Sequence, residues 1–480
     1  MNKKMVFFTL GQLLVLEAVL LLLPTLVAVL YKENTLIHFL LSAAIAGAVG
    51  ALLVFLFRKR NKVIYAKEGF AIVALSWVAL SAVGALPFFF SHQIPSYIDA
   101  FFETVSGFTT TGASILTDVE ALSHGLLFWR SFTHWIGGMG VIVFIMAILP
   151  SVTDRSIHIM RAEVPGPIVG KLVPRAKDTA RTLYLIYIAL TVIETVLLLF
   201  GGMSVFESVV HAFGTAGTGG FGVMGDSIAS YSPYCQWVIT VFMILFGINF
   251  NLYYFLLIRR IRSVLKSVEL WVYLGIVVAA ITAISFNVYS MYSTISETVR
   301  VSAFQVASIV STTGYSTVDF NLWPGFSKSI LFILMFLGSC AGSTAGGLKI
   351  SRIILLVKIC RNEMRKLLSP KSVHSIRIDG KQVDEGIVKS TGNYFIFYFF
   401  CFGLIYLLIS FEPFSFETNV TATAACFNNV GPGFDAVGPA SNFSAYSAFS
   451  KLVLSFAMLL GRLELFPMIL VFSPKLWRKK

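Results

Sequence analysis

The sequence predicts an all-α polytopic membrane protein: four helix–pore loop–helix repeats around a pseudo-fourfold pore, plus an N-terminal transmembrane hairpin. Three observations predict it. The 480 residues are 56% hydrophobic and 13% charged, with mean hydropathy +0.81, and only a bilayer can solvate that much apolar surface. Ten apolar stretches reach the roughly 20 residues a spanning helix needs. Four Gly-centred loops recur between paired stretches: Thr109-Thr110-Thr111-Gly112-Ala113-Ser114, Ala216-Gly217-Thr218-Gly219-Gly220-Phe221, Ser311-Thr312-Thr313-Gly314-Tyr315-Ser316 and Asn428-Asn429-Val430-Gly431-Pro432-Gly433.

The candidate spans lie near 6–31, 36–57, 69–90, 128–149, 182–203, 236–258, 268–289, 326–358, 393–411 and 449–473. The first follows Lys3 and Lys4. It is longer than a signal-peptide core, so it reads as a retained span. Only Tyr31 to Leu36 separates it from the second, which makes a hairpin. The other eight form four pairs, giving units at 1–64 (hairpin), 65–178, 179–266, 267–378 and 379–480.

Orientation follows from the basic residues. Lys3 and Lys4, Arg58 to Lys62, Arg155 to Arg181, Arg259 to Lys266, Lys358 to Lys381, and Lys475 to Lys480 all fall on one side. By the positive-inside rule that side is cytoplasmic, and both termini lie there. The net charge of +13 is thus a topology signal rather than a nucleic-acid footprint. The opposite loops carry eleven acids (Asp99, Glu103, Asp118, Glu120, Glu207, Asp226, Glu297, Asp319, Glu412, Glu417 and Asp435) against one base, Arg300. That imbalance predicts an acidic vestibule that concentrates cations, against the plainer reading of ordinary solvated loop acids.

The stretches 94–111, 202–218, 293–313 and 414–430 are too short and too polar to span twice. Each fits a short helix dipping part-way in, followed by an extended return. Such backbone survives at membrane depth only in protein or beside water, so it implies a pore. With Gly112, Gly219, Gly314 and Gly431 as centres, the repeats are 107, 95 and 117 residues apart. Glycine lets successive carbonyls point inward and replace the water around a cation. A preceding Thr (Thr111, Thr218, Thr313) adds a hydroxyl beneath. The expected ion ligands are Thr110, Thr111, Gly112, Thr218, Gly219, Thr312, Thr313, Gly314, Asn429, Val430 and Gly431.

Two features read as gates. The eighth span is interrupted from Gly338 to Lys349, with Gly342, Gly346 and Gly347 among small residues. Close helix packing through Gly338/Gly342/Gly346 is the alternative. A nucleotide loop is not, because Leu348 stands where a P-loop needs Lys. Arg462 lies near the middle of the last span, where a charge is costly unless it faces the pore. Glu464, two residues on, points elsewhere on a helix. Gly137-Gly138-Met139-Gly140 reads as helix packing, and His211 as a packing or loop residue. The five cysteines have no pairing or zinc spacing, and no catalytic set is visible, so no enzyme is expected.

These motifs, with Trp135-Ile136-Gly137-Gly138-Met139-Gly140, Ala147-Ile148-Leu149-Pro150, Gly338 to Lys349 and Gly461-Arg462-Leu463-Glu464, resemble the TrkH/TrkG–KtrB superfamily of potassium-uptake proteins over nearly the whole chain. The N-terminal hairpin is similar to the TrkH branch. The resemblance implies a bacterial inner-membrane K⁺ pathway with an intramembrane gating loop at Gly338–Lys349. It implies a homodimer in membrane lipid, docked on a cytosolic TrkA-like subunit that binds NAD(H) or ATP. The stretch from Cys360 to Ser390 is too short for a nucleotide domain, so no cofactor is expected in this chain. Channel-like K⁺ flow and K⁺ symport with H⁺ or Na⁺ both remain open, with a non-transporting scaffold as the reading from another class.

Overall fold

With no water inside a bilayer, backbone groups must be satisfied within each span, and helices do this locally. The computed structural model describes residues 1–60, 65–140, 176–369 and 375–477, and it is helical in nearly every element. The end of the predicted span 128–149 lies outside the described residues, as do Lys62, Arg155, Arg161, Lys171, Arg175, Lys371, Arg478, Lys479 and Lys480. One two-residue strand pair, Arg377–Ile378 with Lys381–Gln382, interrupts the all-helical expectation in the segment between the third and fourth repeats.

The hairpin runs as Lys3–Leu20 and Leu22–Leu30, and returns as Leu36–Leu56. Gly11 and Gly50 meet at the crossing: a Cβ on either would sit 2.7 Å from the other's carbonyl oxygen. Glycine there lets the two backbones touch. The hairpin docks on the first repeat through Glu33. Its carboxylate accepts the His124 and Gly125 N–H groups at 2.6 and 3.0 Å, capping the helix His124–Gly138 from outside, while Tyr31 stacks on the His124 ring at 3.9 Å.

Each repeat then has the same plan. The first outer helices are Ala66–Gly84, Ala176–Phe200, Val268–Val288 and Glu385–Ile409. The short helices are Tyr97–Phe108, Val205–Gly217, Ile295–Val310 and Phe416–Phe427. Their N-caps, Ser96, Ser204, Thr294 and Ser415, each accept a first-turn N–H. At about 1.5 Å per residue they are about 18–24 Å long, short of a hydrocarbon core.

The returning helices depart from straight spans in three repeats. The sixth predicted span bends by 91° between Pro233–Phe246 and Phe250–Leu257. Asn249 there caps the new helix through Asn251 N–H at 2.9 Å, and the Gly338–Lys349 segment bonds into the gap. The eighth is Gly325–Leu337 and Ile350–Leu368, interrupted as the sequence indicated. The tenth stops at Arg462, passes through left-handed Glu464 and Leu465, and resumes as Phe466–Val471. Among the described residues six helices are long and apolar enough to span, seven with the bent pair. The fourth, eighth and tenth candidates are the rest of the ten.

Candidate functional site

All four short helices end the same way. Thr110, Thr218, Thr312 and Asn429 are left-handed, with φ of 54, 56, 56 and 57°. The next N–H reaches back five residues: Thr111 to Ser106 at 2.9 Å, Gly219 to Gly214 at 2.9, Thr313 to Ser308 at 2.8 and Val430 to Ala425 at 2.8. This is the long bond of a Schellman cap, a position usually given to glycine. A β-branched residue there is strained and persists only where its surroundings enforce it. The enforcement is visible. Thr312 Oγ1 accepts from Gly346 N–H at 2.7 Å, and Asn429 Nδ2 donates to Thr111 Oγ1 and the Met458 carbonyl, both at 2.9 Å.

Two residues after each left-handed position comes a left-handed glycine: Gly112, Gly220, Gly314 and Gly431, with φ of 81, 75, 85 and 99°. The second loop therefore centres on Gly220, not on Gly219 as the sequence reading had it. Adjacent glycines hid the register, and the left-handed Thr218 reveals it. Gly219 is the counterpart of Thr111, Thr313 and Val430. Thr218 matches Thr110, Thr312 and Asn429, and its hydroxyl donates to the Gly217 carbonyl at 2.6 Å rather than lying beneath a carbonyl ring.

The glycines and the residues before them close a cycle. A Cβ on Gly112 would strike the Gly219 carbonyl oxygen; on Gly220, that of Thr313; on Gly314, that of Val430; on Gly431, that of Thr111. Every one of these approaches is under the 3.0 Å that real Cβ atoms respect. The four loops thus surround one axis in chain order. On one side of them lies a cavity of about 150 Å³, lined by all four ring glycines and by Ser114, Arg130 and Phe221.

The charge of that mouth differs from the sequence expectation. Arg130 is the one charged side chain lining it among the described residues. Glu103 is fully buried and accepts from Arg130 Nε at 2.6 Å. Asp99 pairs with Lys451 at 2.7 Å and Glu417 with Lys328 at 3.2 Å. Glu207 and Glu412 accept backbone N–H groups, and Asp435 takes the hydroxyls of Ser415 and Thr418. Many of the eleven acids are therefore neutralised or engaged in caps. Their basic partners come from flanking helices that a count over loops leaves out.

Beneath the ring, Gly338–Lys349 is an irregular loop with Gly338, Gly342, Gly347 and Lys349 left-handed, so helix packing by small-residue spacing does not describe it. It is sewn to its surroundings. Ser339 Oγ donates to the Val310 carbonyl at 2.8 Å, Cys340 N–H to that of Gly247 at 3.1 Å, and Phe250 N–H to that of Gly342 at 3.0 Å. A Cβ on Gly346 would meet the Asn428 carbonyl. Lys349 is buried, with Nζ on the Ala345 carbonyl.

Arg462 is buried too, at the C-terminal end of its helix rather than in the middle of a continuous span. Its guanidinium donates to the carbonyls of Thr344 and Gly138, both at 2.7 Å, and to that of Gly137. It thereby joins the first repeat to the interrupted segment. Glu464 pairs with Arg352 instead. Gly137 and Gly138 pack against the first and second loops: Cβ atoms there would meet the Phe108 carbonyl and Gly217 Cα. His211 Nδ1 sits 2.9 Å from the Glu207 carbonyl within its own helix, and its own carbonyl accepts from Tyr315.

The family model for TrkH, a cation transport protein, matches residues 36–479. The Trk system potassium uptake protein TrkH of Escherichia coli (strain K12) is 37% identical over 478 residues, covering 98% of both chains. TrkG of the same strain is 33% identical over 474 residues, covering 98% of this chain and 97% of that one. The crystal structure of the potassium transporter TrkH from Vibrio parahaemolyticus matches with TM-score 0.89 and 31% identity over 100% of both chains.

Proposed function

Because the chain belongs to the TrkH family of cation transport proteins, we propose that its four loops form the selectivity filter of a K⁺-uptake pathway. The carrying observation is the closed cycle in which each ring glycine abuts the carbonyl of the next loop. The carbonyls of Thr111, Gly219, Thr313 and Val430 surround the axis as uncharged replacements for water. Left-handed backbone and lack of space both demand glycine at 112, 220, 314 and 431.

The loop Gly338–Lys349 and Arg462 act as the gate. Hydrogen bonds hold the loop beneath the filter, and Arg462 sets a positive charge near the path until the loop moves. The basic clusters support a reading in which both termini lie on the cytoplasmic side of a bacterial inner membrane. We take the protein to work as a homodimer in lipid, with nucleotide sensing through NAD(H) or ATP on a separate cytosolic TrkA-like subunit. The five sequence units serve as hairpin and four repeats.

Rb⁺ uptake into proteoliposomes tests this reading. Uptake should follow an imposed voltage, and Gly431→Ser should raise Na⁺ uptake relative to Rb⁺. An unchanged ratio in folded Gly431→Ser protein rejects the filter. Uptake that requires an H⁺ or Na⁺ gradient replaces the channel with a symporter.

A further inference from the structure

Beside the first two loops lies a buried ion pair whose Arg130 also borders the cavity on one side of the glycine ring. Glu103, on the first short helix, has no exposed side-chain surface, and Arg130, on the returning helix, has 4%. One Glu103 oxygen accepts from Arg130 Nε at 2.6 Å and Ser114 Oγ at 3.0 Å; the other accepts from Ile115 N–H at 2.9 Å. The Ser114 and Ile115 contacts fall on the segment just past Gly112. Arg130 then reaches the neighbouring loop. Its Nη1 donates to the Gly222 carbonyl at 3.1 Å, and its guanidinium lies 3.5 Å from the centre of the Phe221 ring. Both of those fall just past Gly220. The brace runs on, because the Phe221 carbonyl accepts from Tyr315 OH at 3.2 Å, next to Gly314.

The fourth loop is held differently. Phe434 N–H donates to Thr421 Oγ1 at 2.9 Å, a neutral bond within its own repeat. The ion pair is thus an asymmetric tie between loops 1 and 2.

We propose that Arg130 and Glu103 are positioning residues that set the separation of the first two loops and so the discrimination between monovalent cations of different size. The inference rests on the filter reading above. The chemistry suits the task. A planar guanidinium can stack on an aromatic ring while its separate N–H groups reach a carboxylate and a carbonyl in fixed directions, which an ammonium cannot do. Supporting partners of this kind determine how accurately ion ligands are held.

The test is the ratio of Na⁺ to Rb⁺ uptake by the full-length protein in proteoliposomes, for Arg130→Lys, Glu103→Asp, Ser114→Ala and the benchmark Gly431→Ser. Arg130→Lys keeps the charge and loses the stack and the fork. The ratio should rise about tenfold, the lower end of what such supporting partners govern. Ser114→Ala should move it less, in the same direction. A purely structural pair predicts uptake of both ions falling together with the yield of folded protein, at constant ratio. If Gly431→Ser shifts the ratio and every folded variant of the pair keeps the wild-type value, the positioning role is overturned and the filter stands. If Gly431→Ser fails as well, both fall. Should Arg130→Lys not fold, Glu103→Asp and Ser114→Ala decide.

Discussion

At the scale of single residues, burial and backbone strain converge on a few positions. Arg462 is a buried charge whose guanidinium donates to backbone carbonyls of both the first repeat and the loop Gly338–Lys349. A fixed positive charge near the path costs a passing cation on the order of 1–2 kcal/mol at an effective dielectric of about 20. Arg462→Ala should therefore raise Rb⁺ flux on the order of tenfold. Flux equal to wild type removes the barrier role. The second loop offers a sharper test of register. A Cβ on Gly219 would strike the His134 ring, whereas one on Gly220 would strike the Thr313 backbone. Gly219→Ala should cost about 1–3 kcal/mol by overpacking. His134→Ala should restore much of that loss, read as melting temperature in a double-mutant cycle, and should give Gly220→Ala no relief. Equal rescue of both substitutions contradicts the assigned register.

These residue details mark how far the sequence could be read. Three loop centres were legible because no second glycine adjoins Gly112, Gly314 or Gly431, and the second was not because Gly219 and Gly220 are adjacent. Nothing in a Thr signals left-handed backbone, so Thr110, Thr218 and Thr312 gave no warning. Glu103 counted as a vestibule acid since its partner, Arg130, lies 27 positions away on another helix. Packing brings such partners together, and periodicity carries no trace of it.

At the scale of elements, spans that read as continuous in hydropathy are divided where the chain needs another direction. The 91° bend at Gly247–Asn249, the loop Gly338–Lys349 and the turn after Arg462 were apolar enough to pass as helix or near-helix. Only the glycine density of the second betrayed its break. The loop is held to the third repeat partly by Ser339 Oγ on the Val310 carbonyl. Ser339→Ala removes about 1 kcal/mol of attachment. In single-channel or flux recordings the open fraction should rise about fivefold; no change assigns that bond to folding alone. The fourth short helix carries a pH signature at its outer end. Hydroxyls of Ser415 and Thr418 hold the Asp435 carboxyl below the usual Asp range. The folded state thus favours the ionised form. Its contribution is complete above the unfolded value of about 3.9 and is lost as pH falls through the folded one. Wild type and Asp435→Asn should differ in thermal stability at neutral pH and converge in acid. A constant gap across that range contradicts the assignment.

At the scale of the molecule, the helical membrane class and the repeat plan were legible because bilayer thickness acts on whole segments. The attachment of the hairpin was not. It rests on Glu33, placed by folding at the start of a helix 91 residues later. Loss of that cap in Glu33→Ala should cost about 0.5–2 kcal/mol, lowering the melting temperature while flux per folded protein holds. A drop in flux at full stability would make the hairpin part of the transport machinery rather than a collar.

The cycle of glycines and carbonyls is also handed. A bulky group at residue 112 presses on the second loop, at 220 on the third, at 314 on the fourth and at 431 on the first. Damage therefore propagates round the pinwheel in one sense. Genetic suppressors of a lesion at any ring glycine should arise in the loop ahead of it more often than in the loop behind. A collection of second-site revertants would trace the rotation without any structure at all.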